Sequence, residues 1–454
     1  MTKKIFTYSP YQFQEIIQDI LGLAKKLGAT DAIAEVSEGH GLSVSVRCGD
    51  IDTIEQSVDK SLGITVYIGQ QRGNASTSDF SKASLQKTVQ AAYDIARFTA
   101  PDDCAGLPDV NLLEKNPLDL DLYHPWDISV EDAVDIAKRA EQGAFAVSPL
   151  IRNSDGASIG AHQSHFQMGS TQGFLAGYPF SRHYISCAPI ASQTKRSGAP
   201  MQRDDWYSSS RLPHDLALPE SIGQYAAQRA LSRLGARSIK TQKCPVIFEA
   251  PLAAGLLGSF VQAVSGGSLY RKSSFLLDSL GQSVFPQFID IDENPHRLQQ
   301  TGSTPFDDEG VKTHPRRVVD AGVVQGYFLS TYSARKLKMQ STGNSGGSHH
   351  LTLSSRHTRP NDDLPALLKM MGRGLLITEM MGQGVNYVTG DYSRGAFGYW
   401  VENGTIQYPV EEITIAGNMK QMFKDILAIG SDTLVRGTKD TGSILIKEIM
   451  IGGH

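Results

Sequence analysis

A zinc peptidase commonly builds its site on a helix that presents two histidines, four or five residues apart, to one ion. A carboxylate then takes the proton of the bound water. The stretch of this chain arranged for such a task runs from Pro251 to Gly310. It opens with a small-residue helix, Pro251 to Ser265, and continues through a polar loop, Ser268-Leu-Tyr-Arg-Lys-Ser-Ser-Phe275. A strand, Gln287-Phe-Ile-Asp-Ile-Asp292, and an acidic turn, Gly302-Ser-Thr-Pro-Phe-Asp-Asp-Glu-Gly310, follow. The helix reads Leu256-Leu-Gly-Ser-Phe-Val-Gln-Ala-Val-Ser265. No His lies between His214 and His296, and no Cys follows Cys244. The frame is there without its usual ligands, so this chain is expected to contribute no catalytic residue and no metal ligand. The helix itself reads as a packing element.

The remaining candidates are weaker. His349-His350 sits in Gly346-Gly-Ser-His-His-Leu, with His357 nearby. Neighbouring residues of a strand point to opposite faces, so two adjacent histidines rarely hold one ion together. The same parity separates His162 from His165. Asp290 and Asp292 alternate on one strand face and fit a hard cation, although acidic clusters more often cap turns or pair with Arg and Lys. Gly382-Gln-Gly384 and Gly390-Asp-Tyr-Ser-Arg-Gly395 resemble phosphate loops in composition, but no helix starts after them. Asp391, Arg394 and Trp400 around these glycines are candidates for a peptide groove or an interface. Arg271, His349 and His350 join them on the same footing.

The elements that must position these groups follow from periodicity. Tyr11 to Leu27 is predicted as a helix stopped by Gly28. Strands are expected over Asp31 to Val36, then past a turn at Gly39-His40-Gly41 over Leu42 to Cys48, then over Ile51 to Val58 and Gly63 to Ile68. Asp79 is expected to cap a helix ending at Phe98. Pro101, Pro108, Pro117 and Pro125 mark a linker. Ser129-Val-Glu-Asp132 has the form of a capping box opening a helix to Ala144. Short polar strands, a helix from Pro219 to Leu234, and then mostly β-structure complete the chain. Asn418 to Ile429 is expected to be helical. The fold class is α+β: an N-terminal α+β region over 1–120, a middle region over 121–238, and a β-rich C-terminal domain over 239–454.

Bulk composition restricts function further. The chain has 454 residues and a formal net charge of −4, with 43 Lys+Arg against 47 Asp+Glu. That balance argues against nucleic acid as a partner. No apolar run is long enough for a signal peptide or a membrane span, and no membrane partner is expected. Four widely spaced cysteines, with no Cys-x-x-Cys pair, point to a reducing compartment, so the expected location is cytoplasmic.

Several long stretches carry a family resemblance. They are Ser273-Ser-Phe-Leu, Gly302-Ser-Thr-Pro-Phe-Asp-Asp-Glu-Gly-Val311, Tyr332-Ser-Ala-Arg-Lys-Leu337 with Ser341-Thr-Gly-Asn344, Gly390-Asp-Tyr-Ser-Arg-Gly-Ala-Phe-Gly-Tyr-Trp-Val-Glu-Asn-Gly404, and Tyr408-Pro-Val-Glu-Glu-Ile-Thr-Ile-Ala-Gly-Asn418. On these the chain resembles the TldD/PmbA family, also labelled modulators of DNA gyrase, and within it the PmbA (TldE) branch. The resemblance implies the three-segment organisation above. It also implies assembly with a TldD-like subunit as a heterodimer or higher complex, and a homodimer when alone. In the TldD branch the helix matching Pro251 to Ser265 carries His-Glu-x-x-x-His, with a downstream cysteine as third ligand. This chain departs from that pattern at every ligand, so zinc is expected in the partner and no cofactor in this chain. The complex is implied to cut unfolded or extended peptides, such as microcin precursors. Two other readings stay open: a stand-alone metallopeptidase that uses His349, His350 or the Asp290/Asp292 pair, and a non-catalytic, chaperone-like peptide-binding module.

Overall fold

The computed structural model describes residues 5–193 and 200–453, and the fold is α+β. The chain divides into two compact units. The first comprises Met1–Leu234 with Leu298–Thr301 and Pro305–Lys312. The second comprises Gly235–Arg297, Gly302–Thr304 and Thr313–His454. Among the described residues no helix is long and apolar enough to cross a membrane.

The first unit begins with α1 (Pro10–Leu27). Ser9 and Gln12 form a reciprocal capping box at its start, and Gly28, at φ +103°, ends it in the left-handed region. Three antiparallel strands follow: β1 (Asp31–Arg47), β2 (Asp50–Ile68) and β3 (Gln71–Thr77). Next come α2 (Lys82–Phe98), α3 (Val130–Phe145), β4 (Ile151–Ser170), β5 (Leu175–Ala176), β6 (Pro179–Ser192), β7 (Met201–Arg203), β8 (Trp206–Ser210) and α4 (Pro219–Ser232). All eight strands form one sheet in the order β3-β2-β1-β4-β6-β7, with β5 beside β4 and β8 beside β6. The segment Gly39-His40-Gly41 does not turn. It stays extended inside β1, paired with Val58 and Asp59 on one side and with Gln163 and Ser164 on the other. These glycines serve close packing instead, since a Cβ on Gly41 would run into His162 and Ser57. The second helix is capped by Ser81, whose own N–H and hydroxyl donate to Asp79.

One face of this sheet carries two cores. Ala32, Ala34, Val36, Leu62, Ile64 and Val66 pack with α1 and α2, while Val44, Val46, Ile159 and Ile185 pack with α3 and α4. Alanines line the inner sides of α3 and α4, and the helices meet where a Cβ on Gly223 would collide with the Ala140 carbonyl. A backbone cannot yield as a side-chain tip can. Gly223→Val is therefore expected to lose about 3 kcal/mol, the upper end of the usual overpacking range, read as a lower urea midpoint with an unchanged slope.

Between the two cores sits a buried carboxylate. Glu38 is 2% exposed and accepts from the Thr7 N–H (2.8 Å), the Tyr8 N–H (3.0 Å), His40 Nε2 (3.1 Å) and His165 Nε2 (3.4 Å). A carboxylate only accepts, so both Nε2 atoms carry the proton. Burial alone would raise its pKa. The two backbone donors and His40 outweigh that and hold it down to about 2. Phe13 stacks on the His165 ring at 4.6 Å, so the cluster is sealed by apolar contacts.

The second unit contains β9 (Gln242–Phe248), α5 (Ala250–Ala263), α6 (Gly266–Tyr270), β10 (Ile289–Glu293), β11 (Arg316–Asp320), β12 (Val323–Val324), α7 (Thr331–Lys336), β13 (Leu351–Ser355), α8 (Leu364–Met371) and β14 (Gly374–Met381). It continues through β15 (Asp391–Glu402), β16 (Thr405–Asn418), α9 (Met419–Lys424), β17 (Ile426–Ile429), β18 (Leu434–Arg436), β19 (Lys439–Thr441) and β20 (Ile444–Gly452). One sheet has the order β12-β11-β10-β13-β19-β18. The other has the order β16-β15-β14-β9-β20-β17, and because β16 also pairs with β20 it closes on itself. Ala321-Gly322, with φ of 47° and 79°, forms the tight turn joining β11 to β12. The helix expected over Asn418 to Ile429 is cut short at Lys424, because Ile426, Ala428 and Ile429 pair with β20 as strand. Side chains from both sheets and from α5 share one large core.

Candidate functional site: the open face of α5 and its surroundings

Helix α5 starts with Pro251 in its first turn, where the missing N–H costs nothing, and the Ala250 N–H donates to Ser443 Oγ at 3.0 Å. Ala253, Leu256, Leu257, Phe260 and Ala263 bury one side in the core. The other side shows Pro251, Gly255, Gly258 and Gln262 at helical spacing, a nearly side-chain-free stripe. Not one of its fourteen residues is His, Cys, Asp, Glu, Lys or Arg. The charged group over the stripe comes from β19. Lys439 Cε lies 3.6 Å from the point a Gly258 Cβ would occupy. The Lys439 side chain is half-buried and makes no hydrogen bond or ion pair to a described residue, and burial holds its ammonium below the ordinary lysine range. The polar residues after α5 are used locally. Gln262 Nε2 donates to Ser268 Oγ at 3.1 Å, Ser265 Oγ donates to the Gln262 carbonyl at 3.0 Å, and Ser274 Oγ donates to the Ala263 carbonyl at 2.5 Å.

The histidine pair is buried and divided. The His349 N–H donates to Glu293 Oε1 at 2.8 Å, and its Nε2 meets the Gly343 carbonyl at 2.7 Å. His350 is fully buried, and its Nε2 accepts from Arg297 Nη1 at 2.6 Å. Arginine only donates, so the His350 proton sits on Nδ1, a buried atom with no hydrogen-bond partner. Burial first, and Arg297 second, lower His350 to about 4. Glu293 is the hub of this region. It is 1% exposed at the side chain and also accepts from Arg316 Nε (2.7 Å) and Asn344 Nδ2 (2.8 Å). Arg316 in turn donates to the Tyr327 carbonyl and to Asn344 Oδ1, and so fastens the loop that carries the histidines.

The acidic clusters are occupied by partners of the ordinary kind. Asp290 takes a two-pronged contact from Arg356, at 2.7 and 2.8 Å, plus the Ala321 N–H, and Asp292 takes Arg317 at 2.9 and 3.3 Å. Asp307 accepts from the N–H groups of Glu309 and Val311 and so closes its own turn.

The remaining candidates are scattered. Asp391 is exposed at the start of β15, and hydrogen bonds from Thr389 and then Asn418 lower its pKa. Arg394, three residues on, lies on the other face of the strand, with its Nε buried and without a hydrogen bond. Trp400 is 3% exposed and belongs to the core, its indole N–H donating to Glu402 Oε1 at 3.0 Å. Arg271 is exposed and donates to the Tyr270 hydroxyl at 3.0 Å. Lys439 escaped the sequence reading because a single lysine in Arg436-Gly-Thr-Lys-Asp440 has no local signal. Only burial against α5 distinguishes it.

Among the described residues no three His, Cys, Asp or Glu side chains gather to hold a metal ion. Helix α5 offers no donor atom from a side chain of these types. The residues present there do not fit a bound metal.

Three family models match the chain in succession: PmbA/TldA metallopeptidase domain 1 over residues 34–96, the central domain over 123–234, and the C-terminal domain over 241–453. The chain belongs to the PmbA/TldD family. It is 45% identical over 444 residues to the metalloprotease PmbA of Escherichia coli O157:H7, covering 97% of each chain. It is 46% identical over 446 residues to the metalloprotease PmbA homologue of Haemophilus influenzae, covering 98% of this chain and 97% of that one. A crystal structure from Bacteroides thetaiotaomicron, described as a modulator of DNA gyrase, superimposes with a TM-score of 0.91 at 25% identity, covering 98% of this chain and 100% of the other. The PmbA resemblance read from the sequence is thus borne out.

Proposed function

We propose that this chain is the PmbA/TldE-type subunit of a zinc-dependent peptidase complex, with a TldD-like companion supplying the metal. The observation that carries the reading is the open face of α5. The helix where the family resemblance puts zinc ligands has none here, and the charge that lies over it is the Lys439 ammonium. A cation held in that place repels a divalent ion instead of binding it. The substrate is an unfolded or extended peptide, a microcin precursor being one example. Held through its backbone along strand edges, it can be of almost any sequence. Asp391 and Arg271, both exposed, are the members of the expected groove set that are free to meet it. Without its companion the chain pairs with a second copy of itself. None of the four cysteines is in a disulfide, which suits the cytoplasm.

The test is a peptidase assay on an unstructured peptide with each chain alone and with both together. Cleavage by the pair, and none by this chain alone, is the expected result. Full activity of this chain by itself, lost on substituting His349, His350 or Asp290, would establish the stand-alone metallopeptidase instead. A companion equally active with and without this chain would reduce it to a binding module.

A further inference from the structure

The outer half of β2 is a long sheet edge with no other described strand beside it. Residues 62–68 pair with β3, whereas 50–61 pair only with β1, and nearly all of them are exposed. Sheet edges are commonly blunted by proline, charged side chains, bulges or a covering element. This one has neither Pro nor Gly between Asp50 and Ser61; it bulges once, at Asp52, and leaves 53–61 as a regular edge bearing Glu55, Asp59 and Lys60. It also carries an unfinished apolar stripe. Val44 and Val46 of β1 are buried on the helix-covered face, and their cross-strand partners Ile54 and Ile51 share that face yet are 45% and 51% exposed. Val58, opposite His40, extends the stripe at 64% exposure.

We infer that this edge pairs with the same edge of a second copy of the chain, antiparallel, about a two-fold axis through Gln56. Directly opposed residues lie on one face, so such an axis must pass through a residue and not between two. An axis at Glu55 sets that carboxylate against its own copy, and one at Ser57 sets Glu55 against Asp59. Axes further along shorten the overlap or run into β3. The Gln56 register puts Ile54 opposite Val58 twice, Glu55 opposite Ser57, Thr53 opposite Asp59, and Gln56 opposite its copy. No carboxylate then faces another, and the exposed apolar stripe is matched by itself. The inference rests on the reading that the chain self-pairs, and it adds where and in which register; it is independent of where the zinc sits.

The test uses the full chain with Cys48→Ser and Cys104→Ser, which remove the two accessible thiols. Gln56→Cys is expected to form a disulfide-linked dimer under mild oxidation, since directly opposed cross-strand positions fall within disulfide reach. Thr53→Cys, which faces Asp59 and not itself, is expected to stay unlinked. In sedimentation, Val58→Lys, at a position already exposed, weakens the dimer roughly tenfold to a hundredfold. A dimer that withstands Val58→Lys, with Gln56→Cys unlinked, overturns the edge while leaving self-pairing intact. A wild-type chain that is monomeric at every concentration, and pairs only with a companion, overturns both.

Discussion

Replacing Glu293 by Ala is expected to cost about 3–5 kcal/mol, because it leaves a partly buried guanidinium and two buried donors without their acceptor. The Glu293 side chain is 1% exposed, Arg316 is 14% exposed, and Asn344 and the His349 N–H point at the same carboxylate. The loss should register as a large drop in the thermal midpoint of the second unit. It should also appear as fast hydrogen exchange through residues 341–350, the segment this carboxylate ties to β10 and β11. A change under about 1 kcal/mol would show that the network is dispensable to the fold.

Acid should release a second tie. The pKa of Glu38 in the folded chain is about 2, below its ordinary 4.5, so the folded state binds this proton less readily than the unfolded state. The stabilisation is therefore complete above about pH 4.5 and fades as pH falls toward 2. It amounts to about 3 kcal/mol, from the size of the shift. Glu38→Gln should lose about that much at neutral pH and flatten the acid limb of the stability curve. The exchange of the Thr7 and Tyr8 amides should rise in the variant at pH 7, and in the wild type only below about pH 4. An acid limb unchanged by the substitution would contradict this assignment.

What was legible in the sequence was local. The Gly28 stop of α1 and the Ser129 cap of α3 each carry their cause within a few residues. The family match came from equally compact stretches. What failed depended on distant partners. Gly39-His40-Gly41 has turn composition, but β2 and β4 flank it on both sides and keep it extended. Ile426 to Ile429 follows a helical pattern until β20 recruits it. The histidine pair looked available, yet Glu293 and Arg297, more than fifty positions upstream, already hold it. The open face of α5 shows the same division. That α5 contains no His, Cys, Asp or Glu could be read directly, whereas Lys439 lies on it only because the chain returns there some 180 residues later.

The central claim is that this chain lacks the means to hold the peptidase metal. The direct measurement is zinc content after equilibrium dialysis of the purified chain, beside a companion subunit treated identically. Far less than one tightly held zinc per chain is predicted here, with about one in the companion. One zinc per chain retained against a chelator, and lost on substituting His349 or His350, would contradict the account.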